Sequence, residues 1–278
     1  MRNQISTKNI IIVRVLGGLG NQLFIYAFAR YLSLELPCSV FLETRTGFLR
    51  DSYERVYRLN KYNIKLKTCP WYYAIFYPLR KRYSAITKLI FGNITFLNDT
   101  EFLKNPELAF KSIRESKKTF LDGYWQYPKY FANYERIIKN ELSVKNKINN
   151  QNTQMADKMK QCNSIAIHLR RVHYDTLLEL VYYKKAILKI KTKIKDPVFY
   201  VFSDDIEWCR QNFKTDDIFV FVDHNSCDEI AELWLMSQCK HFIIANSSFS
   251  WWGSWLSQNY EKIIIMPEEQ ILIGDKSF

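Results

Sequence analysis

The sequence predicts an α/β protein made of two units, each with a parallel sheet. Short apolar runs rich in Ile, Val and Phe alternate with helical periodicities along most of the 278 residues, and this alternation is typical of parallel sheets. The pattern starts at residues 10–16 and starts again at residues 164–171. Between them, residues 141–160 are polar and rich in Asn, Lys and Gln, which indicates a linker. We therefore expect two Rossmann-like domains, 1–155 and 156–278, with their sheets facing a cleft.

Charge is distributed unevenly between the two halves of the chain. Residues 1–150 carry 25 Lys and Arg against 11 Asp and Glu, a net charge of +14, whereas residues 151–278 carry 15 against 17, a net −2. The asymmetry indicates that the two domains have different partners. A basic half would suit nucleic acid, an anionic membrane or a phosphorylated substrate.

The cysteines and the N-terminal residues indicate a cytoplasmic protein. All six cysteines occur singly, without a C-x-x-C pair, which fits reduced thiols and not a disulfide framework or a zinc site. Residues 1–9 are polar, and the apolar run at 10–16 is too short to span a bilayer. We expect no signal peptide and no transmembrane segment.

The first predicted strand runs into Gly17-Gly18-Leu19-Gly20-Asn21-Gln22, and a helical pattern follows over residues 23–36. Glycines let a ligand approach the backbone and the helix N-terminus closely. This turn lacks G-x-G-x-x-G and the Lys-Ser/Thr of a P-loop, so a tight turn without a ligand is the alternative. The amides of Asn21 and Gln22 favour a functional role, because they can bind sugar hydroxyls or a leaving-group oxygen.

A basic aromatic segment follows the second predicted strand, residues 39–43. From Arg55 to Asn98 there are nine Lys or Arg and no acid, with an aromatic run at 71–83. Three interpretations remain open. The segment lies in the headgroup layer of an anionic membrane, stacks the bases of single-stranded nucleic acid, or is a helical packing region with a solvated basic face.

The remaining elements alternate regularly. We predict strands at 120–124, 164–171, 197–203, 218–222, 239–245 and 262–266, and helices near 130–142, 177–193, 207–213 and 228–238. A last helix continues from residues 246–253 to about residue 257.

Polar residues end three strands of the second half: His168, Arg170 and Arg171; Ser203, Asp204 and Asp205; and Asn246, Ser247, Ser248 and Ser250. Each group alone could have a structural role instead of binding a ligand, since arginines keep a strand end soluble and Ser or Asp caps helices. Together they predict a nucleotide diphosphate site, because ligands bind outside the carboxyl ends of parallel strands. Arginine forks and helix N-termini suit phosphates, and carboxylates suit a base or ribose.

Four motifs occur in order along the chain: the turn at 17–24 (GGLGNQLF), the His-x-Arg-Arg segment at 168–171, Phe-Ser-Asp-Asp at 202–205, and the motif at 246–253 (NSSFSWWG). The sequence resembles the bacterial α-1,2-fucosyltransferases, family 11 of the glycosyltransferases. This resemblance implies a GT-B-like fold, GDP-β-L-fucose as donor, a galactoside acceptor and inversion at the anomeric carbon. It also implies that no metal or other cofactor is required, in agreement with the lack of an Asp-x-Asp motif.

The resemblance also implies roles for individual residues. Arg170 and Arg171 would hold the diphosphate, His168 would orient them or face the leaving group, and Asp204 or Asp205 would bind guanosine. Asn21 would reach toward the fucose–phosphate oxygen. The further expected substrate contacts are Gly18, Gly20, Gln22, Ser203, Asn246, Ser247, Ser248, Phe249 and Ser250.

The chain departs from the family after the arginines. The family continues His-x-Arg-Arg-Gly-Asp-Tyr, whereas this chain has Val172-His173-Tyr174. His173 therefore replaces an aspartate that is a plausible general base or sugar contact. A neutral histidine can accept a proton, which makes His173 a candidate base. The alternatives are a shifted contact to the donor sugar, a different sugar or acceptor, or an inactive enzyme.

The leading hypothesis is therefore an inverting fucosyltransferase that acts in the synthesis of a surface polysaccharide or O-antigen. It would use a galactoside or lipid-linked glycan acceptor, and the basic aromatic segment would hold it at the inner face of an anionic membrane. The alternatives are a non-catalytic or altered-specificity relative that binds another GDP-sugar or glycan and, from charge alone, a nucleic-acid-binding protein. We expect no nucleic-acid partner, since that function leaves the polar strand ends unexplained.

Overall fold

The computed structural model contains two compact units, Met1–Ser143 and Val144–Phe278. It describes residues 9–75, 77, 94–172, 178–213 and 217–267. The units divide earlier along the chain than the predicted boundary at residue 155, which falls inside a helix, Asn150–Gln161. The linker interpretation is wrong for most of residues 141–160. The side chain of Asn149 caps this helix, and its Ala156 and Met159 are buried in a hydrophobic core.

The described elements of the first unit form one sheet with helices. The strands are β1 (Ile10–Arg14), β2 (Ser39–Glu43), β3 (Lys67–Thr68), β4 (Ile94–Asn98) and β5 (Lys118–Asp122), and the helices are α1 (Leu19–Glu35), α2 (Asp99–Lys104), α3 (Pro106–Glu115) and α4 (Glu135–Glu141). The sheet has the order β3-β2-β1-β5-β4, with parallel pairs. Short 3₁₀ turns occupy Leu59–Lys61, Trp71–Ile75, Pro128–Tyr130 and Ala132–Tyr134.

The second unit repeats this design. Its described strands are β6 (Asn163–Leu169), β7 (Pro197–Ser203), β8 (Ile218–Phe221), β9 (His241–Ile243) and β10 (Ile264–Ile265). Its described helices are α5 (Asn150–Gln161), α6 (Leu180–Lys191), α7 (Ile206–Asn212), α8 (Glu229–Met236) and α9 (Ser248–Leu256). The order is β10-β9-β6-β7-β8, again with parallel pairs.

The apolar runs form these sheets because both faces of each central strand are covered. In β6, Ile165 and Ile167 pack in one cluster with Tyr183 and Ile187 of α6, whereas Ala166 packs in another with Met159 of α5. Side chains alternate between the two faces of a strand, so helices on both sides require apolar residues throughout it. The predicted two-domain α/β architecture is confirmed.

The strand orders locate the expected ligand positions within each sheet. Chain connections from the central pair lead to opposite sides at β1/β5 in the first sheet and at β6/β9 in the second. Such a switch point opens a crevice at the carboxyl ends of the strands. The chain reaches Gly17 after β1 and Arg170 after β6, whereas Asn246 follows β9.

Several predicted boundaries shift by a few residues, and one shift matters for the site. Helix α1 starts at Leu19 and not at residue 23, so Asn21 and Gln22 lie in its first turn. Strands β3 and β4 lie in the basic aromatic segment, where we predicted no strand. None of the helices in the described ranges is both long and apolar enough to cross a bilayer. All six cysteines are free thiols.

Candidate functional site

The second unit has a pocket of about 350 Å³ beside the carboxyl ends of β6, β7 and β8. This volume is in the range of small-molecule sites. Its lining includes four carboxylates, together with one arginine, one histidine and one phenylalanine. These residues are Asp204, Asp223, Glu229, Glu232, Arg170, His168 and Phe249. The pocket therefore combines a fixed positive charge with several acidic acceptors.

Asp204 contacts residues 170–172, the arginine segment that follows β6. Its carboxylate accepts hydrogen bonds from the backbone N–H of Arg171 at 2.7 Å and of Val172 at 3.2 Å. The same carboxylate lies 3.3 Å from Nε of Arg170. The structure thus uses Asp204 to position the arginines, which differs from the predicted contact with guanosine.

The two arginines have different surroundings. Arg170 lines the pocket, whereas the guanidinium of Arg171 lies 3.9 Å from the ring centroid of Trp208 on α7. This distance is typical of a cation–π contact. Of the two arginines that were predicted to hold the diphosphate, only Arg170 is therefore in the pocket lining. Arg170 faces the cavity, and Arg171 stacks on a neighbouring helix.

His168 is a neutral, buried member of the pocket. Burial, with a smaller contribution from the positive charge of Arg170, lowers the pKa of His168 to about 3. The ring lies 5.6 Å from that of Phe249, and its Nδ1 has no hydrogen-bond partner among the described residues. A neutral imidazole offers one donor and one acceptor, so His168 can hydrogen-bond a ligand without adding charge.

Glu232 is a pocket residue that we did not predict. It lies on α8 among the buried residues Ile230, Ala231, Leu233 and Leu235. Burial raises the pKa of Glu232 to about 7, while Arg170 lowers the pKa and Asp204 and Glu229 raise it. An acid within such an apolar helix was the available signal. The strand ends alone do not reveal it, because Glu232 reaches the pocket from a helix.

The residues after β9 divide into pocket residues and packing residues. Phe249 lines the pocket, and Asn246 is buried with an Oδ1 that has no hydrogen-bond partner in the described ranges. Ser247 is the N-cap of α9, and its hydroxyl accepts from the backbone N–H of Phe249. Ser248 is partly exposed in the first turn of α9.

Ser250 is an incorrect prediction as a substrate contact. It is fully buried, and its hydroxyl donates to backbone carbonyls of Ala245 and Ser247. The following tryptophans are also structural, since Trp251 and Trp252 are fully buried. Gly253 completes the packing, because a Cβ there would lie 2.5 Å from Sδ of Met236 on α8. The Ser-Phe-Ser-Trp-Trp-Gly motif is therefore largely a packing motif.

The end of β7 also contains one pocket residue and one helix cap. Ser203 lines the pocket, and its hydroxyl accepts from the backbone N–H of Asp205. Asp205 is the N-cap of α7, where its side chain accepts from the N–H of Trp208 at 3.0 Å. The predicted guanosine contact of Asp205 is thus replaced by a capping role.

The glycine turn of the first unit contains two side-chain amides with different roles. Asn21 lies near the switch point, and Gln22 has a structural role. Gly17 has a φ of +77°, and a Cβ there would lie 3.0 Å from both Asn21 and Tyr124. Gly18 is the N-cap of α1, and Gly20 is buried in its first turn. Oδ1 of Asn21 accepts from Nε2 of Gln126 at 2.8 Å.

Gln22 is fully buried, and its amide binds only backbone groups in the contacts that the structure describes. Nε2 donates to the carbonyls of Gly17 and Val56, and Oε1 accepts from the N–H of Arg58. Gln22 therefore connects residues 56–58 to the glycine turn by hydrogen bonds. Its predicted role as a substrate contact is wrong, because no polar atom of the side chain is left for a ligand.

The structure thus brings together five of the predicted residues in one pocket: His168, Arg170, Ser203, Asp204 and Phe249. Gly18, Gly20 and Asn21 belong to the first unit. His173 lies outside the described residues. Within the described ranges, no three His, Cys, Asp or Glu side chains converge as a metal site.

The chain is similar to known glycosyltransferases along most of its length. An Escherichia coli α-1,2-colitosyltransferase is 32% identical to the chain over 275 residues, covering 91% of this chain and 89% of the relative. The E. coli O-antigen biosynthesis glycosyltransferase WbnK is 31% identical over 303 residues, covering 94% of this chain and 95% of the relative.

Solved structures support the fold. Fucosyltransferase NodZ from Bradyrhizobium superposes with a TM-score of 0.57 at 14% identity, over 88% of this chain and 92% of that chain. NodZ soaked with GDP-fucose superposes with a TM-score of 0.54 at 12% identity, over 90% and 92% of the two chains. The sequence model for glycosyl transferase family 11 matches residues 10–271. The chain is a glycosyltransferase of family 11.

Proposed function

We propose that the chain is an inverting transferase that moves L-fucose from GDP-β-L-fucose to a galactoside hydroxyl in an α-1,2 linkage. The observation that carries the proposal is the pocket of the second unit, which places Arg170 and neutral His168 among carboxylates. The GDP-fucose soak of the similarly folded NodZ supports this donor. The O-antigen role of WbnK supports a surface polysaccharide as the product.

The diphosphate is assigned to Arg170 and to the start of α9. The guanidinium of Arg170 can donate to two phosphate oxygens at once. The N-terminus of α9 follows Asn246 and Ser247, and a helix N-terminus favours anions. We propose that Asp204 keeps Arg170 in place and that Asn246, Ser247 and Ser248 complete the phosphate contacts.

The guanine base is assigned to Glu232. Guanine presents two neighbouring N–H donor groups on its Watson–Crick edge, and a carboxylate can accept from both at once. Adenine offers an acceptor at one of these positions, so an ionised Glu232 would reject it. Glu232 is half-buried. A hydrogen bond to it is therefore stronger, and a missing one more costly, than at the surface, which favours guanine over adenine.

The proposed reaction is a single displacement. The acceptor oxygen forms a bond to the anomeric carbon of fucose, and the bond from this carbon to the β-phosphate oxygen breaks, leaving its electron pair on GDP. The acceptor proton passes to a general base, for which His173 is the candidate. Arg170 and the imidazole of His168 would stabilise the charge on the departing phosphate. We propose that this set works without a metal.

A second donor is favoured by one observation. The E. coli relative that is 32% identical over 91% of this chain is a colitosyltransferase. A GDP-linked colitosyl donor is therefore the second candidate. The diphosphate and guanine contacts proposed above are the same for both donors, so only the sugar contacts would distinguish them.

The experiment is to measure GDP release from GDP-fucose and from GDP-colitose, with and without a panel of galactosides. We expect acceptor-dependent release from at least one donor and a loss of at least about 100-fold in Arg170→Ala, since a charge-assisted transition-state contact contributes about 3 kcal/mol or more. Arg136→Ala is the control, because Arg136 is an exposed arginine on α4 of the first unit and does not line the pocket. GDP binding without turnover on any acceptor would instead identify a non-catalytic relative.

We also propose that the first unit contacts an anionic membrane through the 3₁₀ turn Trp71–Ile75. Trp71 is 66% exposed, and Tyr72 and Ile75 are about half-exposed. The exposed Lys67 lies a few residues earlier in the chain. Aromatic residues beside lysines are typical of membrane interfaces. Trp71→Ala should weaken sedimentation with phosphatidylglycerol vesicles, and unchanged sedimentation would contradict this proposal.

A further inference from the structure

Lysines are concentrated in one stretch of the second unit. Residues 180–195, which cover α6 and the turn after it, contain six lysines and no acid. The rest of the unit, from Val144 onward, carries eleven Lys and Arg against seventeen Asp and Glu. An otherwise acidic unit therefore presents one strongly basic helix.

The lysines lie on the outer face of α6 together with exposed apolar side chains. Lys184, Lys185 and Lys189 are exposed. Val181 is 52% exposed and Leu188 is 65% exposed. Positions 181, 184, 185 and 188 share one face at helical spacing. An exposed face that mixes lysines with branched apolar residues is typical of helices that lie in a membrane interface.

The inner face of α6 is anchored firmly to the sheet. Tyr183 and Ile187 are buried in the core, and the hydroxyl of Tyr182 donates to the carbonyls of Ile244 and Ile265. The hydroxyl of Tyr183 donates to the carbonyl of His168. The outer face therefore belongs to an anchored element, so the backbone that carries its lysines needs no further ordering when they bind.

A groove extends this basic face to the edge of the sheet. It has a volume of about 270 Å³ and is lined by Lys189, Lys193 and residues 263–266. Residues 263–266 are three isoleucines and a methionine. Two ammonium groups beside an apolar wall match the chemistry of a lipid, whose headgroup carries a phosphate above apolar chains.

We propose that the outer face of α6, with the groove at β10, is a docking surface for an anionic lipid bilayer. The lysines would bind headgroup phosphates, Leu188 and Val181 would insert at the level of the headgroups, and the groove would hold part of one lipid. This surface belongs to the second unit, whereas the Trp71–Ile75 turn belongs to the first. It does not depend on the proposed transferase activity, since lipid binding is measured without donor or acceptor.

The test is sedimentation of the full chain with vesicles of phosphatidylcholine, with and without phosphatidylglycerol. We expect Lys185→Gln/Lys189→Gln to bind phosphatidylglycerol vesicles about 25-fold more weakly, or fivefold for each lysine, which corresponds to about 1 kcal/mol per charge near the surface. Glutamine keeps a high helix propensity, so the fold should be retained. Leu188→Gln should also weaken binding, and the loss should persist in a Trp71→Ala background.

The matched control is Lys147→Gln/Lys158→Gln, which removes two exposed lysines of the same unit outside α6. It should bind within twofold of the unaltered chain. The proposal is overturned if the α6 variant loses less than fivefold, if the control loses as much, or if the unaltered chain does not prefer phosphatidylglycerol. GDP affinity should be the same in all these variants, so a failure here is distinct from a failure of the transferase proposal.

Discussion

In the second unit, neighbouring polar side chains divide between the pocket and the scaffold, whereas in the first unit most of the polar groups of the glycine turn serve the scaffold. Asp204 lines the pocket, whereas the adjacent Asp205 caps a helix. In the glycine turn, Gln22 binds only backbone in the described contacts, while Asn21 contacts Gln126. The comparison teaches that adjacent residues of one motif can have unrelated roles. Matched substitutions at adjacent positions therefore separate binding from folding.

The largest difference is expected between Asp204→Ala and Asp205→Ala. Loss of Asp204 removes the acceptor of two backbone N–H groups and the partner of Arg170, so we expect GDP affinity to fall about 100-fold, as for loss of charged hydrogen bonds worth about 3 kcal/mol. Asp205→Ala should cost about 1 kcal/mol of stability as a lost N-cap and leave GDP affinity within threefold. Calorimetric titration and thermal unfolding of both variants measure this. Equal loss of affinity in the two would contradict the division of roles.

A smaller effect is expected from the adjacent amides of the first unit. Gln22→Ala leaves three backbone groups without their partner, and we expect about 2 kcal/mol of lost stability. Asn21→Ala should change stability by less than about 1 kcal/mol while reducing turnover, the role that the family resemblance implies. Urea unfolding and GDP-release rates distinguish the two. If Asn21→Ala keeps full turnover, the assignment of Asn21 fails.

The pH dependence of GDP binding tests Glu232. Burial raises the pKa of Glu232 to about 7, so the carboxylate is ionised above this pH and protonated below it. Because guanine N–H donors bind the ionised form, affinity for GDP should be constant at high pH and fall about tenfold for each pH unit well below 7. Glu232→Gln should remove this dependence and reduce the preference for GDP over ADP. An unaltered pH profile in the variant would exclude Glu232 as the guanine contact.

The smallest effect is expected from chelation of metal ions. We propose that Arg170 and the donors near α9 stabilise the departing diphosphate, so EDTA should change the rate of GDP release by less than twofold. Added Mg²⁺ or Mn²⁺ should not increase the rate of GDP release. A loss of tenfold or more that either ion reverses would show that a metal takes part, and the assignment of the phosphate charge to protein groups alone would then be wrong.

The sequence allowed some site residues to be predicted because their positions follow from strand ends. The carboxyl ends of β6 and β7 meet at one edge of a parallel sheet, which is why His168, Arg170, Ser203 and Asp204 were expected together. The identity of the acids was less predictable. No feature of the sequence distinguishes Asp204 from Asp205. Only the direction of each side chain makes Asp204 the hydrogen-bond acceptor for the backbone of residues 171 and 172 and Asp205 a helix cap.

The sequence by itself determined the two-unit α/β architecture, the parallel sheets and the family, because strand periodicity, glycine turns and ordered motifs are local properties of the chain. Tertiary structure alone decided that Gln22 and Ser250 are buried, that Arg171 stacks on Trp208, and that Glu232 reaches the pocket. These outcomes depend on which groups lie nearby after the chain has packed. Hydrogen bonding and burial are set by neighbours distant in sequence, so a local pattern, such as an acid within the apolar helix α8, indicates at most a candidate.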